Sequence, residues 1–187
     1  MELEESINLL KSVTGKNKER DYCILILFLN CGLRLSELVG INLSDIKDDS
    51  LTVLGKGNKE RTVYLNNACR EAISEYLKVR PTDGLKDKNA LFISGQKNRI
   101  YFKTVQYTVK KYLAMAGIDT TKFSTHKLRH TAATLMYKYG HVDIKALQEI
   151  LGHEQLNTTQ IYTHIGNKEI KEAMSKNPLA DFKKEEG

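Results

Sequence analysis

Residues 51–65 read Leu51-Thr52-Val53-Leu54-Gly55-Lys56-Gly57-Asn58-Lys59-Glu60-Arg61-Thr62-Val63-Tyr64-Leu65. The runs Leu51-Thr52-Val53-Leu54 and Arg61-Thr62-Val63-Tyr64-Leu65 are strand-like. The segment from Gly55 to Glu60 between them carries the residue types of a turn. An antiparallel hairpin is predicted. The chain on either side of it reads as helix, so the hairpin decides the class. We expect a mainly α fold with a small three-stranded antiparallel sheet (α+β), lying on one edge of a helical bundle. Leu91-Phe92-Ile93 is the candidate third strand.

Upstream, residues 3–12 place Leu3, Ile7 and Leu10 on one face of an amphipathic helix that Gly15 closes. Residues 19–30 form an apolar helix running into Cys31-Gly32, and a short helix restarts near Leu35 before a turn at Ser44-Asp45. Downstream, Asn66-Asn67 supplies an N-cap for a helix to about Val79, stopped by Pro81. Residues 103–116, 125–139 and 143–151 read as further helices, each ended by a glycine or a turn. Lys168 to Ser175 forms a short amphipathic helix, and Leu179 and Phe182 follow in an otherwise polar end.

With 187 residues the chain has the size of one domain, able to bury roughly 70% of its unfolded surface. The strongest apolar stretch, Cys23-Ile24-Leu25-Ile26-Leu27-Phe28-Leu29, is too short to cross a bilayer and reads as core. Met1-Glu2-Leu3-Glu4-Glu5 is acidic, unlike the positive start of a signal peptide. Cys23, Cys31 and Cys69 lack metal-ligand spacing and leave an odd thiol under any pairing, which suits a reducing cytoplasm. The formal charge of +6 favours a nucleic-acid partner, although charge alone is weak evidence.

Chemistry gathers in five segments. In His126-Lys127-Leu128-Arg129-His130-Thr131, Ser124 or Thr125 can cap a helix that starts at His126. His126 and Arg129 then share a face near a helix N-terminus, which already favours anions. A guanidinium there is a phosphate clamp and an imidazole a proton carrier. The tetrapeptide alone also suits an ordinary helix start. His126 and His130 are four apart, but Lys127 stands where a metalloprotease helix has Glu, so zinc is not expected. In Cys31-Gly32-Leu33-Arg34-Leu35-Ser36-Glu37-Leu38, the glycine lets the chain break so that Arg34 projects from a helix junction. A salt bridge to Glu37 is the alternative and could coexist with phosphate binding. Gly55 and Gly57 flank Lys56 and let its backbone approach a ligand, with Lys59 and Arg61 as rivals in the same turn. Gly152 suits a left-handed helix end, so His153 begins a new direction. Tyr162 follows nine residues later, within Thr159-Gln160-Ile161-Tyr162-Thr163-His164. A free phenol has a pKa near 10 and needs a proton acceptor and a positive site to act as a nucleophile.

Taken together and in this order, from about Glu19 to about Ile165, these segments resemble the catalytic domain of the tyrosine recombinase, or phage integrase, family, which includes Xer, Cre and lambda-type enzymes. The resemblance implies that Arg34 and Arg129 clamp a scissile DNA phosphate, helped by His126 and His153. It implies that Tyr162 attacks the phosphate and that Lys56, the first lysine of the Xer-like turn, protonates the leaving 5′-oxygen. Glu37 matches a carboxylate that orients the first arginine. His126 is the candidate base towards Tyr162, and the scheme requires no metal and no cofactor.

The expected organisation is a catalytic domain over residues 1–165 and a C-terminal helix and tail over 166–187, without the N-terminal core-binding domain usual in the family. Double-stranded DNA is the expected partner, with self-association into a tetramer in the synaptic complex and no membrane. A type IB topoisomerase would use much the same residues, and strand exchange rather than relaxation alone separates the two. A non-catalytic DNA-binding relative would form no covalent adduct. The apolar pattern of the tail predicts docking in a groove, on a neighbouring protomer or back on its own domain.

Overall fold

The computed structural model describes residues 1–152 and 167–183, apart from the side chain of Lys56. At its centre lies a helix that is apolar on every side. Cys23 to Leu29 are seven consecutive residues without exposed surface, and such a run needs neighbours all round. Helix α2 (Lys18–Cys31) obtains them from α1 (Leu3–Lys11), α4 (Asn67–Val79), α5 (Phe102–Met115) and α6 (Thr125–Lys138). The remaining helices are α3 (Leu35–Gly40), α7 (Ile144–Leu151) and α8 (Asn167–Ser175). No helix of the described residues is long and apolar enough to cross a membrane.

Local chemistry sets the helix ends. The Asn66 side chain accepts the Cys69 N–H at 3.2 Å and starts α4. Ser124 caps α6 by accepting from Lys127 N–H at 3.4 Å, and Asp143 caps α7 through the Lys145 and Ala146 N–H groups. Gly32 ends α2 in the left-handed region at φ 58°. This left-handed φ favours glycine at position 32, where a Cβ would also press on Leu151 Cδ2 at 2.6 Å.

Strands β1 (Ser50–Leu54) and β2 (Glu60–Tyr64) form the expected antiparallel hairpin, with Leu51 opposite Val63 and Val53 opposite Arg61. The sheet has two strands among the described residues, not three. Leu91-Phe92-Ile93 is buried but joins neither strand. Its polar backbone finds other partners. Leu91 N–H donates to Ile41 O at 2.9 Å, Ile93 N–H donates to the Tyr76 hydroxyl at 3.1 Å, and the Arg80 guanidinium takes the carbonyls of Ala90 and Leu91. With these bonds made, nothing is gained by adding the segment to the hairpin.

The C-terminal residues fold back on their own chain. Met174 and Leu179 belong to the main apolar core, and Leu179 has no exposed surface. Ala68 N–H donates to Ala180 O at 2.7 Å, and the Asn177 amide donates to Leu29 O at 3.1 Å, tying the tail to α4 and α2. Leu179→Ala should therefore destabilise the fold by about 2–4 kcal/mol, the usual range for a buried leucine. Urea unfolding would measure this as a lower midpoint at unchanged slope. A loss below about 0.5 kcal/mol, the scale of surface substitutions, would mean that the tail is not seated in the core in solution.

Candidate active site

One buried carboxylate organises the site. Glu37, in the first turn of α3, has a side chain with no exposed surface. It accepts the Arg34 backbone N–H at 2.7 Å and Arg34 Nη1 at 2.9 Å. From β2, Arg61 grips both carboxylate oxygens, with Nε at 3.1 Å from Oε1 and Nη2 at 2.9 Å from Oε2. From α6, Arg129 Nη1 lies 3.9 Å from Oε2. Burial works to raise the Glu37 pKa. The hydrogen bonds and charge of Arg61, with those from Arg34, outweigh it and hold the carboxyl below its ordinary value.

The same arginines hold the C-terminal end of α7. Three consecutive carbonyls there each accept from a different guanidinium: Ile150 O from Arg61 Nη1 at 2.7 Å, Leu151 O from Arg129 Nη2, and Gly152 O from Arg34 Nη2 at 3.2 Å. The last carbonyls of a helix lack intrahelical partners and carry its negative partial charge, so cations belong here. Gly152 takes the left-handed position at φ 60°, and a Cβ on it would come within 2.9 Å of Arg61 Cδ. Arg129 Nη1 also donates to Gly32 O at 2.6 Å, which links the ends of α2 and α7 through one guanidinium.

Arg34 and Arg129, predicted from distant segments, are thus brought together. Arg34 keeps a third of its side chain exposed, whereas Arg129 is buried. Burial first, and then the charge of Arg34, lower the Arg129 pKa to about 10, so it stays cationic at neutral pH. His126 sits exposed in the first turn of α6, three residues before Arg129. Its Nε2 lies 3.0 Å from Nε2 of His130, with the rings edge to face. Among the described residues no group of three or more His, Cys, Asp or Glu is placed to hold a metal. The Lys56 backbone lies in a short turn at the hairpin tip, where Gly57 has φ 73°. The Lys56 side chain, His153 and Tyr162 fall outside the described residues.

Arg61 was read only as a rival to Lys56, and its structural role was missed. A signal for it exists: Val63 faces the core, and strand alternation turns Arg61 to the same side. A charged residue on a buried strand face demands a partner. Arg61 fills that need with Glu37 and Ile150 O, so it is not available as the acid of the turn.

Removing the carboxylate should release this assembly. Glu37→Gln leaves three guanidinium groups without their counter-charge and should cost on the order of 3–5 kcal/mol at neutral pH, as for other buried pairs that lose one partner. The folded-state pKa of Glu37 lies below the unfolded one. Its charge-linked stability is therefore complete above the unfolded value, near 4.3, and is lost as pH falls through the folded value. Urea unfolding across the acid range should give a flatter pH dependence for Glu37→Gln than for the wild type. Equal stability of the two proteins at pH 7 would show that the cluster is not held by this charge.

The phage integrase family profile matches residues 1–169. Tyrosine recombinase XerC of Caldanaerobacter subterraneus subsp. tengcongensis is 64% identical over 178 residues, covering 95% of this chain and 50% of that protein. Tyrosine recombinase XerD of Proteus mirabilis is 41% identical over 157 residues, covering 81% of this chain and 50% of that protein. The chain thus spans about half the length of these curated relatives. The crystal structure of XerA recombinase superposes with a TM-score of 0.74 at 28% identity, covering 95% of this chain and 65% of that one. XerH site-specific recombinase, in its post-cleavage complex with a palindromic difH substrate, gives 0.72 at 28% identity, covering 94% and 52%. With the family profile covering most of its length and a relative 64% identical over 95% of it, the chain belongs to the phage integrase family.

Proposed function

We propose that this chain is the catalytic domain of a site-specific DNA recombinase that cuts and rejoins double-stranded DNA through a 3′-phosphotyrosine. The observation that carries this reading is the convergence of Arg34 and Arg129 on the end of α7, one residue before His153. In-line attack on a phosphodiester builds charge on the non-bridging oxygens. Fixed cations aimed at that charge dominate the acceleration, and one arginine contributes roughly 10³–10⁵ in related phosphoryl transfers. Arg34 and Arg129 take this role, with His126 and His153 adding hydrogen bonds.

Tyr162 is the nucleophile and His126 accepts its proton. Lys56 delivers a proton to the departing 5′-oxygen, leaving the 3′-phosphate on the phenol. A 5′-hydroxyl from another strand then attacks this ester and restores the backbone, so no external energy source is needed. Among the solved relatives are lambda integrase as a tetramer bound to a Holliday junction and XerH bound to difH. A tetramer on DNA is the corresponding assembly for this chain.

Tyr162→Phe removes one hydroxyl and should abolish the covalent adduct on nicked or suicide DNA, seen by denaturing electrophoresis, while non-specific DNA binding persists. An adduct from this variant would assign the nucleophile to another tyrosine.

Arg129→Ala and Lys56→Ala should separate when the bridging 5′-oxygen is replaced by sulfur, because a thiolate departs without a proton. Cleavage of this substrate should largely recover in Lys56→Ala and stay low in Arg129→Ala. Equal recovery of both, or of neither, removes Lys56 from the acid role.

A further inference from the structure

His126 and His130 stand one turn apart on α6 with their Nε2 atoms 3.0 Å apart and their ring planes at 84°. A nitrogen–nitrogen hydrogen bond at this distance needs one donor and one acceptor. We infer that His130 is a positioning residue for the cleavage step, its Nε2 lone pair accepting Nε2–H of His126 and leaving Nδ1 of His126 as the working nitrogen. This rests on the assignment of His126 as the base towards Tyr162.

The direction of the bond follows from the chemistry of the step. Before attack, neutral His126 carries its proton on Nε2 and a lone pair on Nδ1. As the phenol O–H bond breaks, the proton joins Nδ1 and the phenolate oxygen bonds to phosphorus. His126 is then an imidazolium with two N–H donors and no lone pair. Its neighbour at 3.0 Å can only be an acceptor in that state, so His130 must be neutral. The surroundings agree: partial burial first, then the charges of His126, Lys127 and Arg129, hold the His130 pKa below its ordinary value. Among the described residues, these are the charged and titratable groups that act on the His130 ring. A base oriented by a third group is a recurrent arrangement in nucleophilic catalysis, with the acceptor here an imidazole in place of a carboxylate. A neutral acceptor suits a site that already holds three arginines, since it adds no anion to compete with the DNA phosphate.

Two readouts test this in the full chain. The first needs no activity. Neutral imidazole in water favours the Nε2–H tautomer, but acceptance at Nε2 forces His130 into the Nδ1–H form. Long-range ¹H–¹⁵N spectra of histidine-labelled protein above pH 8 should show His130 as Nδ1–H, reverting to Nε2–H in His126→Phe. Finding His130 as Nε2–H in the wild type overturns the inference.

The second readout is single-turnover adduct formation on suicide DNA at saturating protein, followed from pH 5.5 to 9. His130→Phe keeps an aromatic ring but loses the acceptor, and should lower the plateau rate by roughly tenfold, less than the roughly 10²–10⁴ that a proton-transfer group itself contributes, because His126 remains. His130→Gln places an amide oxygen where Nε2 was and should restore most of the rate. DNA affinity and thermal midpoint should match the wild type in both variants. A His130→Phe profile that superposes on the wild type, or a His130→Gln rate no better than His130→Phe, overturns the proposal. If wild-type protein forms no adduct at all, it is the recombinase reading that fails, and the tautomer of His130 still decides the hydrogen bond.

Discussion

The Glu37 carboxylate is the point on which the site depends. A charge without exposed surface is tolerated only when it is paired and hydrogen-bonded, and Glu37 is bound by donors from α3 and β2 with Arg129 of α6 close by. In turn it allows three guanidinium groups to sit together. Without it, Arg34, Arg61 and Arg129 would repel one another in a partly desolvated space. Burial first, and then the charge of Arg34, already depress the Arg129 pKa even with the carboxylate in place. A single acidic residue thus concentrates positive charge at the end of α7.

This arrangement ties the site to the chain that follows it. Arg61, Arg129 and Arg34 each take one carbonyl at the end of α7, and Gly152 lets the backbone pass close to Arg61. The positions of Arg34 and Arg129 and the point from which the chain leaves towards His153 and Tyr162 are therefore set by the same hydrogen bonds. A substitution that loosens one would loosen the other. The hairpin is coupled in as well, because Arg61 is three residues beyond Asn58 in the turn that carries Lys56. Four of the five motif segments meet at this cluster, through Arg34 and Glu37, Arg61, Arg129 and the carbonyls of Leu151 and Gly152.

Packing supplies the stiffness such a site needs. Helix α2, buried on all sides, holds α4 and α6, and Gly32 at its end presents its carbonyl to Arg129. The tail closes the same core from the other side, with Asn177 bonded to Leu29 O on α2. Of the two docking places expected for the tail, a neighbouring protomer or its own domain, this chain shows the second. In the proposed reaction, donors fixed in this way would cost no rearrangement as charge develops.

The elements were largely legible in the sequence because their causes are local. Period-3.6 apolar patterns, the caps Asn66 and Ser124, and glycines at 32 and 152 placed the helices within a residue or two, and the β-prone runs around Gly55 and Gly57 placed the hairpin. Arg34, His126 and Arg129 were picked out by residue type and spacing, and the structure brings Arg34 and Arg129 to one carboxylate. Leu91-Phe92-Ile93 was misread as a strand because an apolar triplet signals burial, and burial alone does not choose the hydrogen-bond partner. That choice fell to Arg80, Ile41 and Tyr76, far away in sequence. The roles of Arg61 and His130 were hidden for a related reason. Each depends on a distance between side chains, of 2.9 Å to Glu37 and 3.0 Å to His126, that no spacing along the chain specifies. The sequence by itself determined which residues could do the chemistry, since side-chain type decides that. Only the tertiary structure decided which of them share a carboxylate, a helix end or a proton, because those depend on contacts between segments that folding alone brings together.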